Sequence, residues 1–323
     1  MKILLISLLL STSAFAHKHL YKTRADQFAT AAFTTQKTHP WPFALQSIGH
    51  NMQSYQDYSG SPYWHDGLDI RSLKDETIYA AAGGKVVNIE NYIKGDNLYW
   101  EIAILDDAGF VWKCHHVNKN SITEEIKKAF ASGSKISAGT ILGTVVPWPS
   151  SSMGEVYHHL HLLVVAADKQ YINPFLFLEP LPDTQTPIIH SIGLSQKHKP
   201  LKNKTSVKGA HGLYVEVSDL VLHQKYILPP HKISYRLDGQ DEVIVWEFIN
   251  LPSKTNDTDF ISDFYLKGTC GDYRCREFYI NLLFTPETPR LEKIFTPGEH
   301  EIEVMAEDIV GNKTLKAFRW TSR

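Results

Sequence analysis

"VYHHLHLL", residues 156–163, sets three histidines in four positions of an otherwise apolar run. Val156, Tyr157 and the leucines favour a β-strand. Successive side chains of a strand point to opposite faces, so His159 and His161 project together and His158 points away. Two imidazoles side by side on one face suit a metal ion or a proton relay. The same pattern also suits a half-buried strand whose imidazoles meet backbone carbonyls.

The surrounding sequence is β-rich. Alternating or apolar runs predict strands over 78–89, with Gly83-Gly84 as a bend or bulge, and over 98–105, 110–117, 140–146 and 159–165. Between them SITEEIKKAFASG (121–133) predicts one short helix, with Ser121 as N-cap, Glu124 at the capping-box position and Gly133 as the stop. Prolines 180, 182 and 187 mark a boundary. Beyond it, short strands recur at regular spacing. In His300–Glu307, Ile302, Val304 and Ala306 alternate with glutamates, and Gly311-Asn312 forms a turn before Leu315–Trp320. About seven such strands argue a β-sandwich of immunoglobulin-like type. The fold class expected is therefore mainly β, in the order 1–16 targeting segment, 17–40 polar segment, 41–180 histidine-bearing domain, 187–323 sandwich.

Composition narrows the partners. A 323-residue chain with 43% hydrophobic and 21% charged residues is long enough for two domains with a core each. A formal charge of −2 leaves no basic footprint for nucleic acid. MKILLISLLLSTSAFA shows the charge, apolar core and A-x-A order of a secretory signal, with cleavage expected after Ala16 and a secreted or periplasmic destination. No later stretch is long enough to predict a membrane span. Cys270 and Cys275 bracket a turn-like GDYR and suit a disulfide in an oxidising compartment, while Cys114, on a strand face with Phe110 and Trp112, reads as a buried free thiol.

A second chemical motif lies upstream. "HDGLDI" places His65 and Asp69 four residues apart, with Gly67 between them to allow a sharp turn. Sixteen histidines in 323 residues produce about one His-x-His pair by chance, and His17/His19 is another, so neither motif suffices alone. Their combination does more. His65, Asp69 and a histidine of the His159/His161 pair make a three-ligand zinc set that leaves a fourth tetrahedral position for water, as in catalytic sites.

At this point the sequence resembles the lysostaphin-type, or LytM-like, zinc metallopeptidases of peptidoglycan. "WHDGLDIRSLKDETIYAAAGGKVVNIENY" (64–92) is similar to that family's H-x-x-x-D segment and following strand, "SGSKISAGTILGTV" (132–145) to its glycine-punctuated turn, and "HLHLLV" (159–164) to its H-x-H strand. The resemblance covers roughly residues 41–178 and implies a LytM-like antiparallel β-sheet domain. It implies His65, Asp69 and His161 as Zn2+ ligands and His159 as a catalytic residue. The family's further catalytic histidine lies in a Y-x-H-L segment. "CHHV" (114–117) occupies that place, making His116 the match, with Cys114 in place of the aromatic residue and His115 as an extra candidate. Strand alternation puts His116 on the face of Phe110 and Trp112, read here as the inner side. "PWPSSSMGEVYH" (147–158) and Leu163 also depart from the family pattern and leave the substrate groove open.

The resemblance implies hydrolysis of peptide cross-links of peptidoglycan by metal-activated water, with His159 or His116 taking the proton and the other supporting the oxyanion. Two other classes remain: a non-catalytic activator of a wall amidase, and a wall-binding or adhesion protein working through the sandwich. Asp66 and His158 are expected to be structural or solvated, and His17-Lys18-His19 a fraying terminus. Tyr63 and Trp64 fit a groove wall or packing under the site equally well.

Overall fold

The computed structural model describes residues 23–32, 38–45, 47–56, 62–148, 156–202, 205–207, 212–221, 227–251, 257–267, 269, 278–284 and 295–323. The expected targeting segment, the His17-Lys18-His19 terminus and the Cys270/Cys275 pair lie outside the described residues. The fold is mainly β, and its sheets are antiparallel apart from one short edge pairing, Ser206–Val207 beside the last strand.

The first half is built on an eight-stranded sheet. Its strands are β1 (Ser47–Ile48), β2 (Leu68–Arg71), β3 (Gly84–Asn91), β4 (Trp100–Asp106), β5 (Val111–His115), β6 (Lys135–Ile136), β7 (His159–Val165) and β8 (Tyr171–Ile172). They lie in the order β1-β2-β7-β5-β4-β3-β6, with β8 pairing β7. The period-2 pattern sorts this sheet cleanly. Leu68, Ile70, Ile102, Ile104, Trp112, Cys114, Leu160, Leu162 and Val164 share an apolar core under one face, where α1 (Glu124–Ser132) adds Ile126 and Ala129. Asp69, Glu101, Lys113, His115, His159 and His161 occupy the register positions between them and face the other way.

The long strand expected over 78–89 is two: Thr77–Tyr79, which pairs with Ile141–Thr144, and β3. Gly84 starts β3 at φ +154°, where a Cβ would lie 2.1 Å from the Leu105 carbonyl, so only glycine permits the approach. The α1 cap also differs from expectation. Thr123, not Ser121, caps it, its hydroxyl accepting from Ile126 N, because Ser121 belongs to a preceding 3-10 turn and bonds to Thr144 N. Gly133 closes the helix in the left-handed conformation, as the sequence requires.

The second half comprises β9 (Ile188–Gln196), β10 (Gly212–Ser218), β11 (Lys232–Leu237), β12 (Val243–Glu247), α2 (Asp257–Phe264), β13 (Phe278–Asn281), β14 (Gly298–Glu307) and β15 (Lys313–Ser322). With Lys199–Leu201, strands β9, β10 and β13 form a four-stranded sheet; with Ser206–Val207, strands β15, β14, β11 and β12 form a five-stranded one. Ile302, Val304 and Ala306 of β14 point inward onto Val215, Val217 and Ile280, as their alternation predicts.

This core does not stop at the prolines. It continues through Trp64, Leu163, Val165 and Tyr171 of the first half. Helix α2, which the sequence did not suggest, helps make the join. Trp64 is 3% exposed and packs edge-on to Phe248 and Phe260, with Phe264 and Tyr265 against it, so Trp64 is packing and not a groove wall. Backbone bonds from Asn173 N to Ile249 O and from Leu251 N to Tyr171 O, each 2.9–3.0 Å, stitch the halves together.

Candidate metal centre

Three strands bring the two motifs together. β7 lies between β2 and β5, which places His161 opposite Asp69 on one side and opposite His115 on the other. His65, just before β2, completes the set: His65, Asp69 and His161 are buried, with one potential ligand atom from each within 4.8 Å of the others. Asp69 Oδ1 is 3.1 Å from His65 Nε2 and 3.0 Å from His161 Nδ1.

Donor chemistry shows that this cluster suits a cation. His65 Nδ1–H donates to Gly67 O at 3.0 Å, so a neutral His65 turns the lone pair of Nε2 toward the Asp69 carboxylate. Two lone pairs facing each other at 3.1 Å repel unless a proton or a cation lies between them. His161 brings a proton to the same carboxylate oxygen from the other side: burial alone would lower its basicity, but bonds to Asp66 and Asp69 outweigh this and push it up to about 9. The same imidazoles outweigh burial at Asp66 and Asp69 and hold both carboxyls well below the usual range. A metal ion can replace that proton while using the same three atoms. The described residues thus contain a buried His–Asp–His group able to bind a metal.

Three neighbours fix the set, and the sequence reading had not assigned them to it. Asp66 Oδ1 lies 3.0 Å from His161 Nε2, leaving Nδ1 as the inward nitrogen. Asp66 is therefore neither solvated nor idle, but the carboxylate that orients a potential ligand. Tyr157 donates to Asp69 Oδ2 at 3.0 Å. Gly49 is required beneath it, since a Cβ there would fall 1.8 Å from the Tyr157 hydroxyl. Gly67 serves a similar purpose. It does not adopt a left-handed turn; instead, a Cβ on it would meet Leu162 O at 2.5 Å and His161 Nε2 at 2.9 Å.

His159 and His116 stand beside the cluster, ring centroids 4.6 Å apart. His159 Nδ1–H donates to Tyr157 O at 2.7 Å and His116 Nδ1–H to Leu98 O at 2.9 Å, so both neutral rings keep Nε2 free to accept a proton. Burial, with the neighbouring imidazoles, lowers the pKa of His116 well below its ordinary value; burial also lowers that of His159, although Asp69 opposes it. His159 Nε2 is 3.8 Å from Asp69 Oδ1, close to the cluster yet outside bonding range. Trp148 covers the pair, 4.7 Å from the His116 ring and 4.9 Å from that of His159. His158, on the opposite face, holds this tryptophan by accepting from Trp148 N at 3.0 Å.

The route by which His116 reaches this place is not the one expected. Trp112 belongs to the apolar face, and strand alternation puts His115, not His116, beside His161. β5 ends at His115, and His116 adopts φ +66°, which swings its ring back toward His159. Both histidines therefore border the cluster, with different partners. His115 Nε2–H donates to Glu101 at 2.7 Å, and its ring stacks on Tyr92 and on His161. Cys114, between the apolar side chains, is a buried free thiol pushed up to about 12 by burial, and so is unreactive.

Beneath His115 lies a second buried polar group. Glu101 accepts from Asn88 and Thr23 and lies 3.3 Å from Lys113 Nζ, which meets Asp26 at 2.9 Å. Asp26 also accepts from Tyr171. Thr23 and Asp26 come from the amino-terminal polar segment, which is thus packed on the sheet from residue 23. Comparison with known families and with curated proteins finds no match to this chain.

Proposed function

We propose that this chain is an exported zinc-dependent endopeptidase that hydrolyses peptide cross-links of peptidoglycan, as its likeness to the LytM-like metallopeptidases implies. The observation that carries the reading is the pairing of a buried His–Asp–His set able to bind a metal with two imidazoles whose Nε2 atoms accept no hydrogen bond among the described residues. His65 Nε2, Asp69 Oδ1 and His161 Nδ1 are the atoms that would hold the ion. A bound zinc supplies Lewis acidity toward a water molecule and a scissile carbonyl.

The chain's own residues do the rest. His159, closer to Asp69, accepts the proton of the attacking water at Nε2, and thereby becomes an imidazolium that donates from both nitrogens. His116, 4.6 Å away, is held neutral while His159 is charged, because two imidazoliums at that spacing repel; it orients the substrate oxygen or water through Nε2. Trp148 shields the pair from solvent and forms one wall of the approach. A donor set of two imidazole nitrogens and one carboxylate oxygen would favour zinc over a hard cation.

The decisive experiment measures metal content of the folded protein by mass spectrometry and digests purified sacculi of several cross-link types with wild type and His161→Ala. One zinc per chain and cleaved peptide bridges in the wild type, with both lost in the variant, are expected. A zinc-free, folded wild type overturns the reading, as does a zinc-loaded one that leaves every sacculus intact.

A further inference from the structure

Asp219, remote from the histidine cluster in sequence, is a buried carboxyl group whose two oxygens find no hydrogen-bond donor among the described residues. It follows β10, and its backbone is fixed by reciprocal bonds with Leu228 at 2.6 and 3.0 Å. The residue is 1% exposed, and neither carboxylate oxygen has a hydrogen-bond partner. Burial and the like charges of Asp308 and Asp183 push its carboxyl up to about 8, with the Leu220 backbone N–H opposing them; among the described residues no cationic side chain acts on it. Buried carboxylates are ordinarily hydrogen-bonded, paired or bound to metal.

The neighbourhood offers oxygens. Asp308, buried at the end of β14, is held by its own turn: Oδ1 accepts from Val310 N and Asn312 N, and Oδ2 from Asn312 Nδ2. The same Asn312 amide lies 3.2 Å from Asp183 O and 3.3 Å from Gln185 O, so two backbone carbonyls of the inter-half segment turn toward this place. Asp308 keeps unused lone pairs, and Asp219 keeps all of its own. We propose that Asp219 and Asp308, with Asp183 and its neighbouring carbonyls, form a binding site for a calcium-class cation that clasps the segment joining the two halves.

The cation class follows from the donors. Carboxylates and backbone carbonyls in an irregular arrangement suit the flexible, oxygen-only coordination of calcium; zinc favours nitrogen and sulfur, and magnesium demands a tighter octahedron. The location gives the site a purpose. Residues 183, 219 and 308 are distant in sequence, and the flanking Leu181, Val221, Leu228, Ile309 and Val310 pack on the core of the first half. A cation there ties the far end of the two-sheet half to that core.

The test uses the full chain loaded with zinc. Calorimetric titration with calcium chloride is expected to give one site per chain, and saturating calcium to raise Tm by roughly 3 °C or more, with a smaller shift for magnesium. Asp219→Asn and Asp308→Asn should each weaken calcium binding at least about tenfold, the scale of one lost charged ligand. His161→Ala should keep the calcium response, which separates this site from the histidine cluster. Absence of calcium uptake in wild type overturns the proposal, as does unchanged uptake in both Asn variants or a larger magnesium response. An Asp219→Asn protein of higher Tm alongside a wild type indifferent to calcium identifies a buried neutral acid instead. If Asp219→Asn does not fold, the wild-type titration and Asp308→Asn still decide.

Discussion

Replacing Asp26 with alanine should destabilise the protein out of proportion to its place in a short amino-terminal turn. Lys113 is fully buried, and among the described residues its ammonium meets the carboxylates of Asp26 at 2.9 Å and Glu101 at 3.3 Å. Burial would lower the pKa of Lys113, but Glu101 and Asp26 outweigh it, so the residue is charged in the fold. Removing one partner of a buried pair costs about 3–5 kcal/mol, because the remaining charge is left without compensation. Glu101 remains in Asp26→Ala, which argues for the lower end. The Tyr171 hydroxyl loses its acceptor, which adds about 1 kcal/mol or more. A total loss of about 4 kcal/mol is expected, a large share of the ~5–15 kcal/mol that holds a typical domain. Urea unfolding of the full chain at neutral pH, followed by tryptophan fluorescence, measures it. Adding Lys113→Met and Glu101→Gln to Asp26→Ala removes every charge of the group and should recover part of the loss. A loss below about 1 kcal/mol in Asp26→Ala, or a triple variant no better than the single, would refute the claim that this segment neutralises the sheet.

His159→Ala should keep the bound metal and lose hydrolysis, since its Nε2 is outside the ligand set; equal metal loss in that variant would reverse the roles of His159 and His161. His116→Ala should lower turnover about 10²–10⁴-fold with metal content unchanged, whereas His115→Ala should show mainly as reduced stability, because its partner Glu101 is buried; an inactive, fully stable His115→Ala would exchange the two assignments. Asp66→Asn should weaken metal affinity about 10–100-fold, measured by chelator competition, while unchanged affinity would return Asp66 to a solvated role. Acid should destabilise the second half through His231, whose pKa burial and Lys232 lower to about 4. A folded pKa below the unfolded one means that stability is complete above about pH 6.5 and is lost as pH falls toward 4, by about 3 kcal/mol at most. His231→Gln should flatten that dependence in urea titrations, and an unchanged slope would assign it to other groups.

Much of the His–Asp–His group was legible in the sequence because it depends on rules of short range, while the choice of His161 over His159 came from the family resemblance. Alternation alone placed His159 and His161 on one face, and His-x-x-x-D kept Asp69 on the strand that pairs with them. Less local features were hidden. His116 reaches His159 through one left-handed residue past a strand end, so alternation applied one residue too far chose the wrong face. Asp66 read as structural or solvated, without a named partner, because nothing in HDGLDI shows which nitrogen of a distant histidine it will meet. Residues 23–28 read as polar and unpatterned, yet Asp26 is needed by a lysine 87 positions away. Helix α2 was missed for a similar reason: its fixed point is Trp64, in the other half of the chain.

These long-range contacts converge on one row of the sheet. Reading across β2, β7, β5 and β4, the register aligns Asp69, His161, His115 and Glu101, with a carboxylate at each end and two imidazoles between. Two adjacent imidazoles would compete for protons, but each has a carboxylate of its own on the outer side, so His161 can take a positive partner while His115 gives its Nε2–H to Glu101. Glu101 in turn shares Lys113 with Asp26. A rotation of Glu101 after loss of Asp26 would therefore free His115 to turn, and the ring stacked on it belongs to a candidate ligand. Asp26→Ala should for that reason weaken metal retention as well as stability, although Asp26 touches none of the three ligands. A variant that loses stability but holds its metal as tightly as wild type would show that the row is a set of independent pairs.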